Sequence, residues 1–145
     1  MTSLKQAVMF FVLGSYLAAG CAKMPLEKYV DSLLAGEFAK QVDTIDQSRK
    51  TYYEAVGVFN DLSSQLIDQL TNSFSPSQEL ARSKDEAYRK SQALGNDFQN
   101  TKAEVITGIM QNLIKKGYAK STDEGSIREV VNTRILVVLE KRMQK

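Results

Sequence analysis

Apolar residues recur at alternating three- and four-residue steps along a central stretch of this 145-residue chain. The members of the series are Val42, Ile45, Tyr52, Val56, Phe59, Leu66 and Leu70. Polar side chains, Arg49 and Ser63, occupy two of its places. These steps match the period of an α-helix and put every member on one side of it. The pattern predicts a long amphipathic helix packed against neighbours, and Gly36 predicts a bend or break between it and a short first helix.

A second helix is predicted after the segment 72–78, whose sequence is NSFSPSQ. Ser75 suits the N-cap, Pro76 suits the first helical position, and Gln78 would complete a capping box. The helix is predicted to run to about Lys116, because cations there face the negative end of the helix dipole and Gly117 suits a left-handed cap. Glycines at positions 57, 95 and 108 fall inside predicted helices, where they mark either close helix approaches or tolerated surface positions.

A third helix is predicted from a capping box formed by Ser126 and Glu129. It contains the run of apolar residues 135–139, whose composition would also suit a strand. No other stretch predicts a partner strand, and an isolated strand leaves its edges unpaired, so a helix is favoured. The predicted fold class is all-α: a three-helix antiparallel bundle, or a long helical hairpin with a docked third helix, over residues 26–145.

The first twenty residues, MTSLKQAVMFFVLGSYLAAG, have a different character. One cation, Lys5, precedes an apolar run from Ala7 to Ala19. As a helix this run would span about 20 Å, whereas the hydrocarbon core of a bilayer is about 30 Å thick. Its length is that of the apolar region of a cleaved signal peptide rather than of a stable membrane span.

Cys21, the one cysteine of the chain, ends the sequence LAAGC at positions 17–21. This segment resembles the lipobox of bacterial lipoproteins, in which small residues precede an obligatory cysteine. The commonest lipobox has leucine three positions before the cysteine, where this chain has Ala18. The resemblance implies cleavage between Gly20 and Cys21, a diacylglyceryl group on the thiol, and an acyl chain such as palmitate on the new amine. No other cofactor is expected.

The lipid would hold the rest of the chain at a membrane, since two or three acyl chains bind a bilayer durably where one binds only marginally. In Gram-negative lipoproteins the residue after the cysteine influences sorting, and Ala22 is not the aspartate associated with inner-membrane retention. The resemblance thus implies a periplasm-facing protein of the outer rather than the inner membrane. Residues 21–25 comprise the lipidated cysteine and a tether that reaches at most about 14 Å, so the domain is expected to lie close to its bilayer.

Composition argues against several classes of function. Once the first twenty residues are removed, 18 bases and 17 acids remain, a balance that provides no long-range field for nucleic acid. The chain has no histidine, the commonest general base and metal ligand. Asp43 and Asp46 share a helix face, yet a solvated face explains them better than a metal pair. No catalytic or metal-binding residue is predicted, and no enzymatic activity is expected.

Partner contacts are predicted on two apolar surfaces. On a helix the run 135–139 covers more than one stripe, so either this helix is buried on most sides or part of it faces a partner. The candidate contact residues are Phe59, Leu66, Leu70, Ile135, Leu136, Val138 and Leu139. The sequence favours a membrane-anchored lipoprotein that serves as a non-enzymatic accessory or adapter subunit and binds another envelope protein or itself, and no nucleic acid.

Two alternatives stay open. The weaker is a carrier role, since a helical bundle can hold an apolar ligand, although no convergent polar residues are visible in the sequence. The stronger is a structural role. The chain ends in Lys145, and its plan of a lipid followed by helices is similar to that of the murein lipoprotein, whose terminal lysine is joined to peptidoglycan. By that resemblance the protein would be a structural spacer, an oligomeric coiled coil that links the outer membrane to the cell wall.

Overall fold

The computed structural model describes residues 24–72, 75 and 77–144, which fold almost entirely as helices. Their bounds are α1 Leu26–Ala35, α2 Ala39–Asn72, α3 Gln78–Lys115, a 3-10 turn at Ser121–Asp123, and α4 Glu124–Met143. The all-α prediction is confirmed: a long hairpin of α2 and α3 has two shorter helices, α1 and α4, docked against it. The predicted cleavage and lipidation sites, Gly20 and Cys21, and the terminal Lys145 lie outside the described residues.

Helices α2 and α3 form an antiparallel hairpin that extends well beyond the other two helices. They contain 34 and 38 residues, or about 50 Å and 57 Å at 1.5 Å per residue. The shorter helices α1 and α4 pack against the half of the hairpin that lies away from the α2–α3 loop. We call this four-helix part, residues 26–49 and 98–143, the base. The two-helix part, residues 50–72 and 78–97, is the arm.

One apolar core holds the base together, and all four helices contribute to it. Its most deeply buried members are Val30, Val42, Ile45, Ile109, Leu113, Val131, Ile135 and Leu139. Burying one such side chain fully contributes about 1.5–3 kcal/mol relative to leaving it exposed. All buried residues of this core lie in the base, so the apolar contribution to stability is concentrated there.

Helix α4 is fixed to the base by polar contacts as well as by its apolar side. Arg134 forms an ion pair with Asp31 of α1. The Arg142 guanidinium lies 2.6 Å from the Asp43 carboxylate of α2. A third contact joins α2 to the backbone of α4 through Arg49, described below. The run 135–139 lies within this helix, so the helical prediction is confirmed over the strand alternative.

Helix α1 joins the base through an aromatic stack. The Tyr29 and Tyr118 rings lie parallel with centroids 4.2 Å apart, and the Tyr29 hydroxyl donates to Asn112 Oδ1 at 3.2 Å. Asn112 Nδ2 in turn donates to Glu37 at 2.9 Å. The chain turns between α1 and α2 at residues 36–38, which confirms the predicted break at Gly36.

Two predicted helix starts are wrong. At α3 the Ser77 hydroxyl, not that of Ser75, accepts the hydrogen bond from the Leu80 N–H, at 3.3 Å. At α4 the N-cap is Asp123, and Ser126 lies inside the helix with its hydroxyl donating to the Asp123 carbonyl at 3.1 Å. The 3-10 turn already winds the chain helically before α4, so the helix begins ahead of the serine that was expected to cap it.

The predicted end of α3 is confirmed. Gly117 has φ 73°, the left-handed conformation that glycine adopts without a steric penalty. The Tyr118 N–H bonds the Leu113 carbonyl at 2.9 Å, and the Gly117 N–H bonds the Ile114 carbonyl at 3.0 Å. This pair of bonds is a Schellman motif, which satisfies carbonyls that the helix itself leaves unpaired.

Of the glycines at positions 57, 95 and 108, which were predicted to lie inside helices, two mark close approaches and one does not. A methyl group at Gly108 would lie 2.9 Å from the Phe38 ring, and one at Gly95 would lie 3.0 Å from the Tyr52 ring. A methyl group at Gly57 would meet nothing within 4 Å. The first two glycines therefore let an aromatic ring approach a helix backbone, while Gly57 is a tolerated surface position.

Candidate interaction surface

The structure places the predicted contact residues of α4 in and around the core of the base. Ile135 and Leu139 are 0% and 1% exposed. Val138 packs half-buried against the same core, while Leu136 is exposed. The sequence left open whether the run 135–139 is buried on most sides or faces a partner, and the structure shows it buried on most sides. Leu136 alone among these four turns mainly outward.

The predicted contact residues of α2 lie in the arm, at different depths. Phe59 is half-buried, with its ring centroid 5.5 Å from that of Tyr88 on α3. Leu66 is also half-buried. Leu70 is exposed. The first two therefore contribute to contact within the hairpin, and Leu70 is the one that is open to a partner.

The two aspartates considered as a metal pair have cationic partners. Asp43 pairs with Arg142, as described above. Asp46 is 6% exposed, with its carboxylate 2.5 Å from the Arg49 guanidinium and 3.0 Å from the Lys50 ammonium. The solvated face expected there is thus wrong for Asp46, because its charge is neutralised inside the base. Among the described residues, no group of acids and cysteines is arranged to hold a metal ion.

Asp46 and Arg49 also connect α2 to α4. Arg49 Nη2 donates to the backbone carbonyl of Leu139 at 3.1 Å, so one guanidinium contacts a carboxylate and a carbonyl of another helix. Burial raises the pKa of Asp46, but the hydrogen bonds and charges of Lys50 and Arg49 outweigh it and leave that pKa below its usual value. This cluster is structural: it holds the helices of the base in register.

One side of the arm, which we call the tyrosine face, exposes large apolar side chains. Its members, 49–62% exposed, are Tyr53, Ile67, Leu70 and Tyr88. Tyr53 and Ile67 are separated by about four helical turns and so share one side of α2. On this side the Tyr52 ring lies against Gly95, about two turns along α3 from Tyr88. The face therefore spans both helices of the arm.

The other side of the arm, the groove face, carries a groove of about 200 Å³. Its lining residues are Ala55, Val58, Leu62, Ser83, Glu86, Ala87 and Lys90. Val58 is 54% exposed and lies about two and a half turns from Ile67, so it points away from the tyrosine face. Pockets for drug-sized ligands measure about 300–1,000 Å³. The groove is therefore better suited to one or two aliphatic side chains of a partner.

Charged residues border the groove on both helices, with acids on α2 and both signs on α3. On α2, Glu54, Asp61 and Asp68 recur at seven-residue intervals, which aligns them along one side of the helix next to Val58. The stretch 51–72 contains these three acids and no base. On α3, Glu86 and Lys90 line the groove, and Arg82 lies about two turns before Lys90. All are exposed, and none joins an ion pair in the described part of the chain.

Comparison with known proteins adds no family to this description. No protein-family model matches the chain, and neither a curated protein nor a solved structure matches it. Within the described residues, no helix is long and apolar enough to cross a bilayer. The arm is therefore interpreted from its own geometry. The groove was missed at the sequence level, although the seven-residue repeat of acids beside Val58 is a signal that could have found it.

Proposed function

We propose that this protein is a lipid-anchored, periplasm-facing accessory subunit of an envelope protein complex, held at the outer membrane by acyl chains on Cys21. In this proposal the base is the scaffold and the arm carries the partner on its tyrosine face. The observation that supports it most is the arm itself. The arm extends about 35 Å beyond the base. The base therefore does not cover the large apolar side chains of the arm.

Exposed apolar surface of this kind favours the binding of a partner protein. Covering it gains about 25 cal/mol per Å², and large contiguous apolar patches on soluble proteins usually mark interaction sites. Tyrosine is also enriched in protein interfaces. Tyr53 and Tyr88 combine broad apolar rings with hydroxyls that can stay hydrated at the rim of a contact. An envelope protein that lays a helix along this face would cover both rings together with Ile67 and Leu70.

The anchor contributes by restricting where the domain can be. A lipid on Cys21 confines the chain to a thin layer beside the bilayer and raises its effective concentration toward membrane neighbours. Because residues 22–25 are a short tether and α1 belongs to the base, the base is the membrane-proximal part. The proposed role is binding and positioning, without an enzymatic step or a cofactor other than the lipid.

Cross-linking in cells tests this proposal. A photoreactive amino acid at Ile67 of the full-length lipidated chain is expected to capture one envelope protein. The matched control carries the same amino acid at Gln65, which is exposed on α2 but is not a member of the tyrosine face. Capture of the same protein from position 65 would contradict the assigned face. Undiminished capture after Cys21→Ser would contradict the role of the anchor.

A substitution gives a second, independent readout. Leu70→Glu places a charge on the tyrosine face without touching the core, so capture is expected to fall at least roughly tenfold, since desolvating an unpaired charge opposes docking. Leu136→Glu is the control, because Leu136 is an exposed leucine of the base. Equal losses in the two variants would show that the effect is not specific to the arm.

A further inference from the structure

We infer that a pocket of about 210 Å³ where the arm meets the base binds an uncharged saccharide. Tyr52 of α2 forms one part of the pocket, and the rest comes from α3. We call it the amide pocket, and its lining residues are Tyr52, Ser91, Gln92, Gly95, Asn96, Phe98 and Gln99. The inference goes beyond the proposed function, which concerns a protein partner.

Two aromatic rings contribute the apolar part of the amide pocket. The Tyr52 and Phe98 rings are nearly parallel, with centroids 6.5 Å apart. Phe98 is buried and Tyr52 is half-buried. Gly95 leaves room for the tyrosine, since a methyl group there would lie 3.0 Å from its ring. The C–H groups of a sugar ring pack well on aromatic rings, whose faces carry partial negative charge.

Three side-chain amides give the pocket its hydrogen-bonding capacity. Gln92, Asn96 and Gln99 are exposed, and their four- and three-residue spacing puts them on one side of α3. Their side chains form no hydrogen bond with another residue in the described part of the chain. Each amide has an oxygen that accepts and a nitrogen that donates. One amide can therefore bond two neighbouring hydroxyls of a sugar.

The absence of charge from the lining selects a neutral ligand. No charged residue lines the amide pocket, whereas three other cavities of the described chain each contain at least one in their lining. An ionic ligand would lose hydration in the amide pocket without meeting a counter-charge. An aliphatic ligand would leave the amides without partners. A neutral molecule with many hydroxyls avoids both costs.

A peptide group is also neutral, but it matches the pocket less completely. It presents one donor and one acceptor, while a sugar ring presents several hydroxyls around its edge, each of which donates and accepts. Three neighbouring amides beside an aromatic ring therefore suit a sugar better. Pockets for drug-sized ligands measure about 300–1,000 Å³, so this smaller one suits a single sugar ring.

One cation lies near the pocket without lining it. The Lys102 ammonium is 5.6 Å from the centroid of the Phe98 ring, and Lys102 follows Gln99 by about one helical turn. A sugar that carries a carboxylate is therefore the competitor to compare with a neutral one. Because the pocket is small and open, we expect a Kd in the millimolar range for a single neutral sugar.

Saturation-transfer NMR on the full-length lipidated chain, in a zwitterionic detergent without a sugar headgroup, tests the inference. Irradiation of the aromatic ring protons is expected to transfer saturation to the C–H protons of at least one of glucose, galactose and N-acetylglucosamine. Gln92→Met keeps the length of the side chain and removes its amide, so the affinity is expected to fall about tenfold. Asn96→Leu repeats the test at a second exposed amide.

The matched control is Gln65→Met, which removes an exposed amide of α2 outside the pocket and is expected to leave the affinity unchanged. No transfer to any of the three sugars, or equal transfer in Gln92→Met and wild type, would overturn the inference. Tighter binding of glucuronate would overturn it in favour of recognition through Lys102. Equally effective displacement by N-methylacetamide would instead indicate a peptide group. The measurement needs no protein partner, so its result is independent of capture from position 67.

Discussion

The base and the arm are built on the same two helices but bury different kinds of residue. In the base, α2 and α3 have two further helices against them, and large aliphatic side chains such as Ile45 and Ile109 are fully buried. In the arm each helix has only the other as a neighbour. The buried residues there are small ones: Ala55, Ala87 and Ser91. Helices that meet over small residues gain little from burial and leave their larger side chains at the edges.

Within one hairpin, this difference separates the buried core from the exposed apolar surface. The core stabilises the base, and because an isolated helix is marginal in water, the base in turn supports the start of α2 and the end of α3. The arm adds length and surface rather than core. That the arm contributes so little to stability, yet keeps large apolar residues exposed, is the observation on which the proposed binding role rests.

The largest expected effect compares two isoleucines. Ile135→Ala in the base removes methyl groups from a fully buried site and is expected to lower the free energy of unfolding by about 2–5 kcal/mol. Ile67→Ala in the arm is expected to change it by no more than about 0.5 kcal/mol. Denaturant unfolding followed by circular dichroism measures both. Similar losses of unfolding free energy in the two variants would mean that Ile67 is buried to the same extent as Ile135.

The next comparison is between two arginines. Arg49→Met removes the partner of buried Asp46 and the donor to the Leu139 carbonyl, and is expected to cost about 3 kcal/mol. Arg89→Met in the arm changes an exposed residue without an ion pair in the described chain, so about 0.5 kcal/mol or less is expected. A much smaller loss of unfolding free energy in Arg49→Met would show that Lys50 alone neutralises the Asp46 carboxylate.

Two glycines sharpen the contrast further. Gly57→Ala in the arm meets open space and is expected to stabilise the chain by up to about 1 kcal/mol, the difference in helix propensity. Gly108→Ala in the base brings a methyl group against the Phe38 ring, and overpacking of about 1–3 kcal/mol outweighs that gain. Thermal unfolding gives the sign of each change. Stabilisation by both would indicate that the ring can move aside.

The smallest effect concerns pH. The pKa of Asp46 is lowered in the folded chain, so its carboxylate stabilises the fold above the unfolded pKa of about 3.9. That contribution is lost as the pH falls through the folded pKa. The difference in unfolding free energy between wild type and Asp46→Asn is therefore expected to shrink below about pH 4. Asp61→Asn in the arm serves as control, and an equal pH dependence there would contradict the assignment to Asp46.

The sequence predicted the helices well because periodicity and end signals are local. The three- and four-residue spacing of apolar residues predicted α2. Gly36 predicted its break from α1, and Gly117 predicted the end of α3. Caps were less certain, because several serines near a helix start compete for one position. Ser77 caps α3 in place of Ser75, and α4 begins directly after Asp123, ahead of Ser126.

The candidate interaction surface was only partly predictable, because burial depends on what packs nearby. Leu70 and Leu139 look alike in sequence, yet one stays exposed in the arm and the other is covered by the base. Arg49 occupies one place in the apolar series of α2, and this position indicated that it would be buried. Asp46 is buried as well because the Arg49 guanidinium pairs with its carboxylate. The spacing of the acids on α2 was visible in the sequence, but only the hairpin shows that they lie beside a groove lined by Glu86 and Lys90 of α3.

The attachment of α1 has a mechanical consequence. In a chain held at its N-terminus, a pull on the tether reaches the molecule through α1. The Tyr29–Tyr118 stack, the bond to Asn112 and the Asp31–Arg134 ion pair connect that helix to α3, to the segment after α3 and to α4. Force on α1 is thus shared among contacts on several segments and loads the base as one unit. If the proposed lipid anchor holds the chain, the base bears that load and the shape of the arm is preserved under tension.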